Sequence, residues 1–224
     1  MQLPFPVPYH WTLRTWAGRH AGLFAVIYRL GNRGEDRLAS PGMDFVIDGF
    51  PRSGNSFAHY ALLHCGRRDM RIAHHVHAPA QIIIAARLGI PALVVLRDPA
   101  EAVAGALIKN PRFRAPDLLR AYRLYYASLL PLAEHFVVSP FEVAIEDFGA
   151  IIARLNARFG TDFAPLDRAR QAAITPAFLA MERARAYPAP RADPAAEIAA
   201  HPRLLERARA THARFRALAA SGGR

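Results

Sequence analysis

The chain of 224 residues has one cysteine, Cys65, one lysine, Lys109, and no apolar run long enough to cross a bilayer. Each scarcity excludes something. A single thiol closes no internal disulfide and, without thiolate partners, builds no zinc site; in its apolar, helical surroundings Cys65 reads as a small buried hydrophobe. A spanning helix needs about 20 consecutive apolar residues, and the N-terminus lacks the basic, apolar, small-residue order of a signal peptide. The expectation is a cytoplasmic protein. Basic residues outnumber acidic ones 29 to 18, for a net charge of +11, yet all but Lys109 are arginines scattered from Arg14 to Arg224 among alanines and prolines. That spread argues against a nucleic-acid face, which clusters its cations, and suits steering of a small, multiply charged anion.

Composition, at 52% apolar and 21% charged residues, describes an ordinary globular domain with enough chain to bury a core. Residues 1–42 read as an N-terminal extension: prolines at 4, 6 and 8, an amphipathic helix over His10 to Leu30 that docks on the core or else contacts a membrane surface or a partner, then a polar run from Gly31 to Gly42. Residues 43–224 read as one α/β domain. Strands are expected at Met43 to Asp48, near Met70 to His74, at Ala92 to Leu96 and at Phe136 to Ser139. Helices are expected at Ser56 to Cys65, Pro79 to Leu88, Ala100 to Leu107, Pro116 to Ala133, Phe148 to Phe159, near Asp167 to Arg185 and at Pro194 to Leu218. Alternation of this kind predicts a parallel sheet covered by helices on both faces, a three-layer α/β/α architecture.

Behind the first strand stands Gly49-Phe50-Pro51-Arg52-Ser53-Gly54-Asn55-Ser56. Glycines between a strand and a helix let backbone N–H groups face an anion at the helix N-terminus. The outline is that of a P-loop with Asn55 where lysine is expected, and the cation inside the loop is instead Arg52, whose forked guanidinium matches phosphate or sulfonate oxygens. The strand ending in Leu96 is followed by Arg97-Asp98-Pro99, which sets a second cation at the strand-end edge where ligands dock in open α/β sheets; the plain alternative pairs Arg97 with Asp98 or Glu101. Between the two lies His74-His75-Val76-His77. In extended chain His75 and His77 face one side and His74 the other, and an imidazole there suits general-base work, its pKa lying near neutrality. Without a carboxylate or thiol at ligand spacing the cluster does not read as a metal site.

These elements, in this order, resemble the sulfotransferase superfamily that uses 3′-phosphoadenosine 5′-phosphosulfate. Gly49 to Phe57 is similar to that family's 5′-phosphosulfate loop, Val94 to Val103 to its 3′-phosphate motif with Arg97 as the ligand, and His77-Ala78-Pro79 to its base followed by a helix, with His75 a second candidate. The segment Val137 to Glu142 and the helix ending at Phe159-Gly160 extend the likeness, which covers about residues 43–163. The resemblance implies a P-loop-like fold and sulfuryl transfer to a hydroxyl or amine of a small molecule or carbohydrate. It implies Arg52 and His77 or His75 as catalytic groups, donor binding by Gly49, Pro51, Arg52, Ser53, Gly54, Asn55, Ser56 and Arg97, and no metal. The family's serine eight residues after the arginine is Gly105 here; Lys109, or Arg191 from the loop at Tyr187 to Pro194, is the expected substitute, and Gly105→Ser is expected to tighten binding. Acceptors are expected over the open side of the loop, beside Arg120 to Tyr126 and the C-terminal helices. The competing readings are a nucleotide kinase using ATP and Mg²⁺, and an inactive anion-binding protein.

Overall fold

The structure is a computed structural model and describes residues 10–31, 37–184 and 193–220. In chain order its elements are α1 (His10–Ala17), α2 (Ala21–Gly31), β1 (Phe45–Gly49), α3 (Asn55–Leu63), β2 (Ile72–His74), α4 (Ala80–Leu88), β3 (Ala92–Leu96), α5 (Pro99–Lys109) and α6 (Ala115–Leu129). A 3-10 turn (Leu130–His135) leads to β4 (Val137–Pro140), followed by α7 (Phe141–Glu146), α8 (Phe148–Phe159), α9 (Arg168–Arg183), α10 (Pro194–Ala199) and α11 (Pro202–Ala220).

The four strands pair in parallel in the order β2-β1-β3-β4. The expected three-layer α/β/α fold is present, and burial explains it. Every residue of β1 and β3 is buried, so alternate side chains need cover on both faces. Val46, Ala92, Val94 and Leu96 pack in one core with α4, α5, α6 and α11, while Phe45, Ile47, Leu93 and Val95 pack in another with α3, α7, α8 and α9. The chain winds from β1 to β2 on one side and to β3 on the other. The C-terminal ends of β1 and β3 therefore flank the switch point of the sheet, where open α/β folds form their crevice. Asp98 fixes the start of α5 there, its carboxylate accepting from Ala100 N at 2.8 Å and from Glu101 N at 3.3 Å, with Pro99 in the first turn.

Three expected helices are split or change type along their length. The N-terminal one is interrupted over residues 18–20 and becomes a pair, α1 and α2; Gly18 leaves room there for Pro79, whose Cδ would lie 2.9 Å from a Cβ at that position. The expected helix Pro194 to Leu218 is split before Pro202, whose ring cannot continue a preceding helix. Pro116 to Ala133 ends as α helix at Leu129 and tightens into the 3-10 turn around Pro131. One short helix, α7, was not expected. Cys65 is buried, as read, and burial pushes its thiol up to about 11. Arg191 and the loop around it lie outside the described residues.

Candidate functional site

The loop after β1 turns tightly. Gly54 has φ +100° and is the N-cap of α3, with no side chain capping that helix, so the first amides of α3 keep their donors. Asn55 does not act as a lysine would. It is buried, and its Nδ2 donates to Phe50 O at 3.2 Å and to Gly49 O at 3.4 Å, bracing the loop from within. Arg52 carries the loop's charge, at φ +65°, and its Nη1 stands 4.0 Å from Glu182 Oε2 of α9.

Ser53, expected to bind the anion, is turned inward. Tyr126 OH donates to Val95 O at 2.7 Å, and having one hydrogen it can only accept from its other two neighbours, Phe50 N at 3.2 Å and Ser53 Oγ at 3.3 Å. The Ser53 hydroxyl proton is thus spent on Tyr126. Pro51 is buried as well. Ser56, the second residue of α3, instead contacts His75, Oγ to Nε2 at 3.0 Å.

The histidine segment departs from the extended geometry expected of it. His75 (φ 59°) and His77 (φ 53°) are both left-handed, which brings His74 and His75 together, Nδ1 to Nδ1 at 2.7 Å, instead of on opposite sides. His59 of α3 stacks on His74 at 3.9 Å. His77 is held by β1: its Nδ1–H donates to Gly49 O at 2.8 Å, since a carbonyl can only accept, and this leaves the lone pair on Nε2. With 21% of its side chain exposed the ring is not sealed off. Burial pulls the pKa values down, to about 4 for His77, about 3 for His74 and about 2 for His75, so all three are neutral imidazoles near pH 7.

Beneath them lies a group that no motif names. Asp48, fully buried at the end of β1, accepts from His77 N at 3.1 Å and from Ala78 N at 3.4 Å. Desolvation raises its pKa to about 7 against these backbone bonds. An aspartate closing an otherwise apolar strand was the signal. The tyrosines of α6 are the other omission. Tyr122, Tyr125 and Tyr126 are completely buried and so line no acceptor site, contrary to expectation; Tyr122 OH donates to Arg97 O at 2.7 Å, fixing the end of β3.

Arg97 faces Arg52 across the switch point. Its Nη1 donates to Arg52 O at 3.1 Å, its Nε to Glu101 Oε2 at 2.9 Å, and its guanidinium lies over the Phe141 ring at 4.1 Å. The ion pair with Glu101 and the proximity to the loop both hold. Gly105 differs from its reading as a missing ligand. A Cβ there would fall 3.2 Å from Arg52 Cβ and 3.4 Å from Arg52 Cγ, so the space of the absent hydroxyl is where the stem of Arg52 crosses α5. Lys109 is exposed at the end of α5, and its charge contributes to lowering the pKa of His77.

Fold and site together define an α/β protein with two arginines and a histidine loop gathered at the switch point of a parallel sheet. Among the described residues no group of three or more His, Cys, Asp or Glu is arranged to hold a metal ion. No family model matches the chain, and no curated protein matches its sequence. Among solved structures it is similar to the crystal structure of mouse sulfotransferase SULT7A1 complexed with PAP, at 12% identity over 71% of each chain and a TM-score of 0.45, a likeness too loose to carry chemistry from one chain to the other.

Proposed function

We propose that the chain is a sulfotransferase that moves a sulfuryl group from 3′-phosphoadenosine 5′-phosphosulfate to a hydroxyl or amine of a small molecule or carbohydrate. One observation carries the reading. Arg52, His75 and His77, the three residues that the motifs assign to chemistry, all have positive φ, and the one other non-glycine residue so held in the described chain is Asp193. Such backbone costs on the order of 1–3 kcal/mol per residue and persists where the surroundings enforce it, most often at functional sites.

The geometry supports the following roles. The uncapped α3 amides and Arg52 receive the 5′-phosphosulfate, and Arg52 offsets charge gathering on the leaving oxygen. Arg97, held in orientation by Phe141, exchanges its exposed Glu101 partner for the 3′-phosphate. His77, neutral and with Nε2 unprotonated, takes the proton of the acceptor as its oxygen or nitrogen bonds to sulfur; the bond from sulfur to the bridging phosphate oxygen breaks, and the adenosine bisphosphate leaves with that electron pair. His75 is the weaker candidate for this step, because both its nitrogens are engaged, by Ser56 and by His74. Sulfuryl transfer, like phosphoryl transfer, depends mostly on positioning and charge stabilisation, and these groups supply both.

Calorimetric titration with 3′,5′-adenosine bisphosphate, set beside ATP with Mg²⁺, tests the reading. Binding of the bisphosphate alone is expected, with Arg97→Ala abolishing it and His77→Ala leaving it intact while removing turnover with the sulfated donor. Binding of ATP with Mg²⁺ alone would point to kinase chemistry, and binding of neither would overturn both. Turnover that survives His77→Ala and is lost in His75→Ala would move the base to His75.

A further inference from the structure

The outer face of the N-terminal helix pair is apolar, and the core does not account for it. On α2, Ala21 and Phe24 turn inward to a small core shared with Leu38, Val76, Ala78 and Ala80. Leu23, Val26, Ile27 and Leu30 lie on the opposite side at the i, i+3, i+4, i+7 spacing of one helical stripe, with exposures of 57%, 57%, 40% and 81%. Leu13 and Trp16 of α1 are 52% and 51% exposed, and Trp16 meets His20, at the turn into α2, ring to ring at 5.4 Å. Six of the large apolar side chains left exposed come from these two short helices, as many as from all the rest of the described chain. Scattered exposure is ordinary; a stripe marks a contact surface.

Charge selects the occupant. The first acidic residue of the whole chain is Glu35, while Arg14, Arg19, Arg29 and Arg33 precede it. Arg19 and Arg29 are exposed on the helix pair itself. Arg14 is spent inward, donating to Val76 O at 2.5 Å and lying over the Phe24 ring at 5.2 Å. Apolar residues with a half-exposed tryptophan, arginines at the margin and no carboxylate are the composition of a helix lying in a membrane interface. No helix among the described residues is long and apolar enough to cross a membrane, so the contact is with the surface.

We propose that α1 and α2 form a docking face for an anionic lipid bilayer, with Leu23, Val26, Ile27, Leu30 and Trp16 entering the interface and Arg19 and Arg29 meeting the headgroups. The proposal is independent of the chemistry assigned to the site. It has a consequence for it: the inner side of the same helices packs on Val76, Ala78 and Pro79, the segment that carries His77, so a docked protein presents its histidine loop near the bilayer.

The test is sedimentation of the full chain with vesicles of phosphatidylcholine alone and with about 30 mol% phosphatidylglycerol, in low and high salt. Expected is binding to the anionic vesicles that weakens about tenfold or more on neutral ones and in high salt, with a blue shift of tryptophan emission that Trp16→Ala removes. Leu23→Ser, Val26→Ser, Ile27→Ser and Leu30→Ser combined should abolish binding while thermal unfolding stays cooperative, because all four side chains are exposed. Protein that stays in solution with both vesicles, or a combined variant that still binds, overturns the proposal. So does a lipid-free dimer that these substitutions dissociate, since the stripe would then be covered by a second copy.

Discussion

Arg52 owes its place to the absence of a side chain at Gly105. The nearest atom to a Cβ at that position is Arg52 Cβ, at 3.2 Å, and a Cβ is fixed by the loop backbone, so no rotation of the arginine relieves the crowding. The serine that the family pattern suggests is therefore expected to weaken binding of 3′,5′-adenosine bisphosphate, with overpacking costing about 1–3 kcal/mol; calorimetry on Gly105→Ser checks it, and tighter binding would restore the missing-ligand reading. Residue identities in the loop were legible from the sequence, but their directions were not. Ser53 and Asn55 look like anion ligands in one dimension. They face inward because Tyr126 OH and the Gly49 and Phe50 carbonyls, groups that no motif names, claim their hydrogens. Asp48 was equally readable in principle, since a carboxylate at the end of an apolar strand needs donors, and its donors turned out to be the amides of His77 and Ala78.

Elements with a strong apolar signal and firm punctuation match the sequence reading to the residue. β3 is five consecutive apolar residues closed by Asp98-Pro99, and α8 runs from the Asp147 cap to Gly160 in the left-handed conformation. Elements that depend on distant partners do not show in the sequence. The first described turn of α1 is held by Asp117 of α6, over a hundred residues away, which accepts from Trp11 N and Thr12 N, both at 2.9 Å, and from Thr12 Oγ1 at 2.6 Å. This is a helix cap supplied by another helix. Asp117→Ala leaves the amides of Trp11 and Thr12 without their acceptor, while Thr12 Oγ1 keeps the Asp117 carbonyl at 3.2 Å, at about 1–2 kcal/mol for a lost cap. Hydrogen exchange over residues 10–17 is expected to quicken while protection in β1 and β3 is unchanged; equal protection of α1 in both proteins would mean that its packing on α6, not the cap, holds it.

For the molecule as a whole, the site sets the response to acid. His74, His75 and His77 have folded pKa values below the ordinary 6.5, so below pH 6.5 the unfolded chain binds protons that the folded chain refuses, and stability falls with pH by up to about 1.4 kcal/mol per unit for each such group. Asp48 acts in the other direction. Its folded pKa is raised, so its contribution is full below the unfolded value of 3.8 and is lost as pH rises through about 7. Burial lowers the pKa values of His10 and His212 as well, so five histidines against one aspartate predict a lower thermal midpoint at pH 5 than at pH 7; a flat profile would show that the histidines take up protons in the folded state. The contact between His74 Nδ1 and His75 Nδ1 bears on this state directly. Only one hydrogen fits in a 2.7 Å gap, so the neutral rings hold complementary tautomers. If His74 supplies that hydrogen, His75 carries its own on Nε2 and donates to Ser56; if His75 supplies it, Nε2 is bare and Ser56 must donate instead. The direction in which the Ser56 hydroxyl points at the loop is thereby decided by a ring that never touches it.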